Sequence, residues 1–229
     1  PHLIEHLDEG LRGKLTVISA PAGFGKTSLM TAWRQQGAMP IAWYSLGVED
    51  NEPEMFADYL IGAIQTIDKG LGLESAAMLQ NSPVPPLKVV FTSLLNEICE
   101  SESDFVLVLD DYHEITDPGI HEAVSYFIER LPPQAHVLIA TRSDPPFPLS
   151  RLRAGGELKE LRAADLRFAR DEASAFLNEL MDLGLADEEV AALADRTEGW
   201  ITGLKLCAFS LQGSDHKSDF VRQFAGDDR

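Results

Sequence analysis

Four short apolar runs are spaced along the chain: KLTVIS at 14–19, IAWYSL at 41–46, FVLVLD at 105–110 and HVLIAT at 136–141. None alternates cleanly between apolar and polar positions, which is the pattern of strands buried on both faces in a parallel sheet. Between them the periodicity is helical, over 26–36, 53–67, 87–100 and 119–130. Strand–helix alternation of this kind predicts an α/β fold with right-handed crossovers. The stretch 68–86, with GLG and SPVPP, reads as a surface loop containing one short helix, and SDPPFPL at 143–149 as a break. An extended piece follows at 157–168, then helical patterns at 170–184, 186–199 and 200–213. Asp171 and Asp187 are the expected N-caps of the first two, with Gly184, Gly199 and Gly213 as stops. The pattern therefore predicts two parts: a sheet domain over 1–168 and a small helical bundle over 169–229.

The turn after the first run carries the strongest chemical signal. ISAPAGFGKTS, at 18–28, places Gly23 and Gly25 between an apolar strand and a helix that opens at Lys26. That context turns a match to G-x-x-x-x-G-K-[ST] into a phosphate-binding loop. Glycines let backbone amides approach phosphate oxygens with no Cβ in the way, and a helix N-terminus adds unpaired N–H groups and a positive dipole end. The nucleotide-binding set expected here is Ala22, Gly23, Phe24, Gly25, Lys26, Thr27 and Ser28. Lys26 would reach the β- and γ-phosphates and Thr27 would ligate Mg²⁺. Ala20 stands where the pattern has its first glycine, so that corner is expected in an ordinary conformation.

Two further strand ends face the same edge. FVLVLDDYHEI (105–115) runs five apolar residues into Asp110 and Asp111, and carboxylates at the C-terminal edge of a buried parallel strand face the ligand crevice of an α/β sheet. Asp110 is expected to hold Mg²⁺, directly or through water, and Asp111 to orient or deprotonate the attacking water. HVLIATRSDPP (136–146) ends in Thr141 and Arg142, and Arg142 is expected to sense or neutralise the γ-phosphate. Asp50 and Asn51 follow the second strand, where a helix cap at Asn51 or Glu52 is the expected role. Trp200 is expected in core packing.

The charge narrows the partners. With 37 acidic and 19 basic residues the formal net charge is −18. Such a surface repels a polyanion, because nucleic-acid affinity comes largely from phosphate neutralisation by Lys and Arg. No apolar run approaches the ~20 residues that span a bilayer, and PHLIEHLDEG lacks the layout of a secretory signal. A cytoplasmic location and no membrane partner are the expectation. The chain begins at Pro1 rather than Met and is expected to be a fragment or a processed form. Cys99 and Cys207 sit in apolar helical contexts and are both expected to be buried and reduced.

Taken together, PHLIEHLDEGLRGKLTVISAPAGFGKTSL, IAWYSLGVEDNEPEMFADYLIGAIQ, FVLVLDDYHEI, VLIATRSDPPFPLSRLRAGGELKELRAADLRF and TEGWITGLKLCAFSL resemble the nucleotide-binding module of STAND-class signalling ATPases of the maltose-regulon-activator, large LuxR-type group. The resemblance implies a P-loop NTPase of the additional-strand type, a parallel sheet with helices on both faces followed by a helical lid, with the strand before Arg142 between the phosphate-loop strand and the LDD strand. It implies ATP or ADP with Mg²⁺ as cofactors, a closed ADP-bound resting state, and self-association of the ATP-bound full-length protein. Inducer and DNA would be bound by domains outside this chain. Residues Pro1 to Ile4, Leu3 among them, become candidates for the adenine contact. Two other readings compete with a slow regulatory ATPase: a turnover enzyme such as a kinase or motor, and a scaffold with a relic loop.

Overall fold

A computed structural model describes residues 2–37, 39–212 and 217–225. Pro1 and Gly213, expected at the adenine and as a helix stop, lie outside the described residues. The chain divides into two compact units, one of residues 1–20 and 27–162, the other of residues 21–26 and 163–229.

The first unit is built on five parallel strands in the order β2-β3-β4-β1-β5: β1 Leu15–Ser19, β2 Ile41–Ser45, β3 Phe105–Asp110, β4 Ala135–Thr141 and β5 Leu158–Arg162. All residues of β1, β3 and β4 are buried, which is why their sequences run apolar without alternation. β4 lies between β1 and β3, as the additional-strand type requires. β5 ends at Arg162, short of the extended piece expected to 168. The helices are α1 His2–Gly10, α2 Lys26–Gln36, α3 Pro53–Gln65, α4 Leu73–Leu79, α5 Leu87–Glu100, α6 Pro118–Glu129 and α7 Ser150–Ala154. Phe56, Leu60 and Ile64 of α3, Phe91 and Leu94 of α5 and Val124 and Phe127 of α6 pack with the inner strands into one apolar core.

Several details depart from the sequence expectation. α1 was not foreseen: five of its nine residues are His, Asp or Glu, and its one buried large side chain is Leu7. Tertiary bonds hold it, with Trp33 Nε1 donating to Asp8 Oδ1 at 2.8 Å and Lys159 Nζ to Glu9 Oε2 at 2.7 Å. Cys99 is exposed, against the expectation of burial, and Cys207 is buried. α5 turns Val90, Leu94 and Ile98 inward, and Cys99, one position on, points away from that stripe.

His136 of β4 is buried between the Gly13 carbonyl, 2.8 Å from Nδ1, and Thr16 Oγ1, 3.0 Å from Nε2. Burial pushes its pKa below the usual histidine value, against the opposing pull of the Gly13 carbonyl. The unfolded chain therefore binds this proton more readily than the folded one, and stability is lost as pH falls below the ordinary histidine range. Thermal unfolding followed from pH 8 to pH 5 should show the melting temperature falling towards pH 5, and His136→Gln should flatten that slope.

The second unit carries α8 Arg170–Ser174, α9 Asp187–Thr197, α10 Ile201–Leu211 and α11 Lys217–Ala225 around a core of Leu177, Leu193, Leu204 and Leu211. α8 continues as a π-helical turn over Ala175–Leu180, so the helix expected to reach Gly184 stops four residues early. Asn178 closes it, donating to the Leu185 carbonyl and accepting from the Leu185 amide. Asp171 and Asp187 are not the N-caps. Ala169 and Ala186 hold those positions, and Glu172 and Glu189, three residues on, accept their amides. This is the carboxylate half of a capping box.

Candidate functional site: a phosphate loop and an aspartate pair

The loop residues belong to the second unit. Gly23 and Gly25 have φ of 80° and 78°, a left-handed backbone that side chains rarely adopt. A Cβ on Gly23 would also stand 2.7 Å from Thr202 Oγ1. That hydroxyl donates to the Gly23 carbonyl at 2.6 Å, and the Phe24 ring lies 6.3 Å from Trp200. Trp200 is therefore half-buried against the glycine loop rather than placed in the core. Lys26 is buried, its Nζ donating to the Pro21 carbonyl at 3.0 Å. This bond curls the lysine over its own loop. Ala22 and Gly23 are exposed, with Phe24 and Gly25 half-buried.

The remaining residues belong to the sheet unit. Thr27 Oγ1 donates to Asp110 Oδ2 at 3.2 Å, which joins the first turn of α2 to the end of β3. Asp110 is 3% exposed, and its other oxygen accepts the Asp111 amide at 3.0 Å. The two oxygens brought together, a hydroxyl and a carboxylate, are the hard donors that Mg²⁺ takes one or two at a time while keeping several waters. The donor set therefore fits that ion.

Asp111 has φ of 57° and ψ of 38°, a left-handed conformation that aspartate tolerates better than most residues. It ends β3 abruptly and leaves the carboxylate half exposed while Asp110 stays inside. The turn that follows holds a residue the sequence reading passed over. His113 has Nδ1 3.8 Å from Asp111 Oδ1 and Nε2 3.2 Å from Glu114 Oε1, so its ring stands between the two acids. The signal was present as YHE directly after LDD. Of the two expected caps, Glu52 holds the N-cap position of α3, and Asn51 has another role. Its Oδ1 accepts from the Thr116 and Asp117 amides and its Nδ2 donates to the Glu114 carbonyl, tying the turn after β2 to the turn carrying Asp111. Its separation in sequence, 63 residues from Glu114, hid this role.

Arg142 directly follows β4, exposed, and is paired with no carboxylate among the described residues. The nearby acids have other partners. Arg162 pairs with Asp144 and Glu160, and Arg153 with Glu160. The Arg162 guanidinium holds the Asp144 carboxyl below its usual range, and Arg153, followed by Arg162, does the same for Glu160. Leu3 is half-buried in α1 and Ser28 exposed on α2. Neither is hydrogen-bonded through its side chain to the other predicted site residues among the described residues.

Known proteins resemble the chain in sequence and in fold. The chain is 35% identical over 202 residues, 88% of its length, to the HTH-type transcriptional regulator MalT of Serratia proteamaculans. It is 37% identical over 197 residues, 86% of its length, to the MalT of Yersinia enterocolitica. It spans only 22% of either relative. No family model matches the chain. A solved structure of a Signal Transduction ATPase with Numerous Domains from Pyrococcus horikoshii, with a tetratricopeptide repeat sensor, superposes over 96% of this chain and 31% of its own at a TM-score of 0.65 and 22% identity. Cdc6p of Pyrobaculum aerophilum superposes over 99% and 66% at 0.57 and 16% identity. Likenesses at these identities speak for the P-loop fold.

Proposed function

From the premise that the chain is a MalT-like P-loop ATPase module of the STAND type, we propose that it binds ATP and ADP with Mg²⁺ and acts as a slowly hydrolysing switch. The observation that carries this reading is the Thr27–Asp110 bond, which sets a hydroxyl and a buried carboxylate side by side where the sequence leaves the glycine loop. In this reading Lys26 leaves the Pro21 carbonyl for the β- and γ-phosphates, and the amides of Gly23 to Thr27 line the phosphate chain. Thr27 and Asp110 hold Mg²⁺, which neutralises phosphate charge when bound. Asp111 accepts a proton from the attacking water, with His113 and Asn51 fixing the turn that presents it. Arg142 supplies positive charge to the γ-phosphate.

A switch needs more than binding. ATP and ADP shift an equilibrium only by their differential affinity for its two states. The Thr202–Gly23 bond and the Phe24–Trp200 pair give the glycine loop a partner in α10, so that loop rearrangement and α10 are coupled. The domains that bind an inducer and DNA, and the surfaces for self-association, belong to a longer protein. The test is a titration of the nucleotide-stripped chain with each nucleotide, for which the reading requires unequal affinities.

A further inference from the structure

Trp200 is the N-cap residue of α10, and its ring is held between two glycines of the second unit. A Cβ at Gly23 would stand 3.1 Å from its Cζ2, and one at Gly203 3.0 Å from its Cε3. Cζ2 is one bond from the carbon that carries Nε1, so the N–H edge of the indole is the edge turned towards the glycine loop. The backbone fixes this placement: the Phe168 amide donates to the Gly199 carbonyl at 2.9 Å, and the Trp200 amide to the Thr197 carbonyl at 2.9 Å.

That indole nitrogen is buried and has no hydrogen-bond partner among the described residues. The other two tryptophans are satisfied, Trp33 by Asp8 and Trp43 by Ser45. Burying a donor without an acceptor is costly, and native structures rarely leave one so. The acceptors around it are engaged elsewhere. The Gly23 and Pro21 carbonyls accept from Thr202 and Lys26. The loop over 20–28 contains no acidic residue, and Asp195 and Glu198, just before Trp200, pair with Arg170 and Arg167. A packing role explains the contact with Phe24 but not the donor, since a phenylalanine would pack there without burying a polar atom.

We propose that Trp200 is a nucleotide-binding residue, whose indole N–H donates to an anionic oxygen of the phosphate chain held by the glycine loop. The inference rests on the nucleotide reading above and adds to it a direct contact from α10. Two donors of the second unit are then held in reserve: Lys26, lying back on the Pro21 carbonyl, and Trp200, with no acceptor. Opening of the loop around phosphate releases both, and a hydrogen bond to an anion is stronger than a neutral one, so it offsets the cost of the buried indole. Through Trp200 the helix α10 senses directly whether the loop is filled, and not only through the Thr202–Gly23 bond.

The test is a proton–nitrogen correlation spectrum of the nucleotide-stripped chain, before and after addition of ADP with Mg²⁺, read at the indole signals of its three tryptophans. Trp33→Phe and Trp43→Phe identify two of the signals, so that of Trp200 is assigned without altering it. The expected result is a downfield move of the Trp200 indole proton, as a new hydrogen bond to an anion requires, with the Trp33 and Trp43 signals in place. Trp200→Phe should then weaken ADP binding by about tenfold or more, the size of a hydrogen bond to a charged group. The empty variant should keep a melting temperature near the parent's, because the lost ring area is offset by the relieved donor; if it does not fold, the spectrum of the parent decides alone. Binding of ADP with an unmoved Trp200 signal, or parent-like affinity in Trp200→Phe, would overturn the proposal and leave the nucleotide reading standing. Failure of the parent chain to bind ADP would overturn both.

Discussion

Lys26→Ala is expected to lose tight nucleotide binding, by about 100-fold or more, while the chain remains folded. In the proposed reading Lys26 carries the phosphate-facing positive charge of the loop, and a hydrogen bond to a charged group contributes about 1.5–3 kcal/mol, or roughly one to two powers of ten in affinity. In that reading the lysine would bond both β- and γ-phosphates of ATP, so the loss should be greater for ATP than for ADP. In the structure Nζ donates to the Pro21 carbonyl at 3.0 Å. Lys26→Gln serves as the control, keeping a donor and most of the stem without the charge. It should bind weakly as well, with a melting temperature near that of the parent. Fluorescent-nucleotide titration reads the affinity and thermal unfolding reads the fold. Unchanged affinity in both variants would remove the loop from the nucleotide site.

Asp111→Asn should separate binding from hydrolysis. The carboxylate sits just outside β3 with its side chain 48% exposed, while Asp110 inside the strand takes the Thr27 bond. In the proposed reading the pair divides its work, and removing the outer charge leaves Thr27 and Asp110, the expected Mg²⁺ donors, in place. General-base catalysis contributes about 10²–10⁴ in rate, so turnover should fall by about 10² or more while both nucleotide affinities stay within about threefold. Asn is the safer replacement because it also tolerates the left-handed backbone at this position. Turnover measured by phosphate release, beside affinities measured by titration, checks both halves. If hydrolysis is unchanged, Asp111 is not the base, and Glu114 on the other side of His113 becomes the residue to test.

Much of the fold is legible in the sequence. Strands buried on both faces leave long apolar runs, so β1, β3 and β4 were visible as such, and the glycine loop announced itself by lying between a strand and a helix. The strand order was not read from periodicity. It came from the resemblance, and the β1–β4 and β3–β4 pairings agree with it. What stayed hidden depends on contacts distant in sequence. α1 is held by Trp33 and Lys159 rather than by an apolar stripe of its own. Asn51 acts on a turn more than sixty residues away. The π-helical turn at Ala175–Leu180 keeps the same apolar composition as an α-helix and changes only its register. His113 was overlooked because one histidine after two aspartates carries little pattern, and its place between Asp111 and Glu114 arises only from the short turn that follows the left-handed Asp111.

The central claim is that nucleotide identity sets the state of this module, and it is tested most directly by titrating the nucleotide-stripped chain with ADP and with ATP, each with Mg²⁺, while phosphate release is followed. The account predicts saturable binding of both, affinities that differ by about fivefold or more, the usual size of a coupling between states, and turnover far slower than nucleotide exchange. Equal affinities, or rapid turnover by the chain alone, would contradict it.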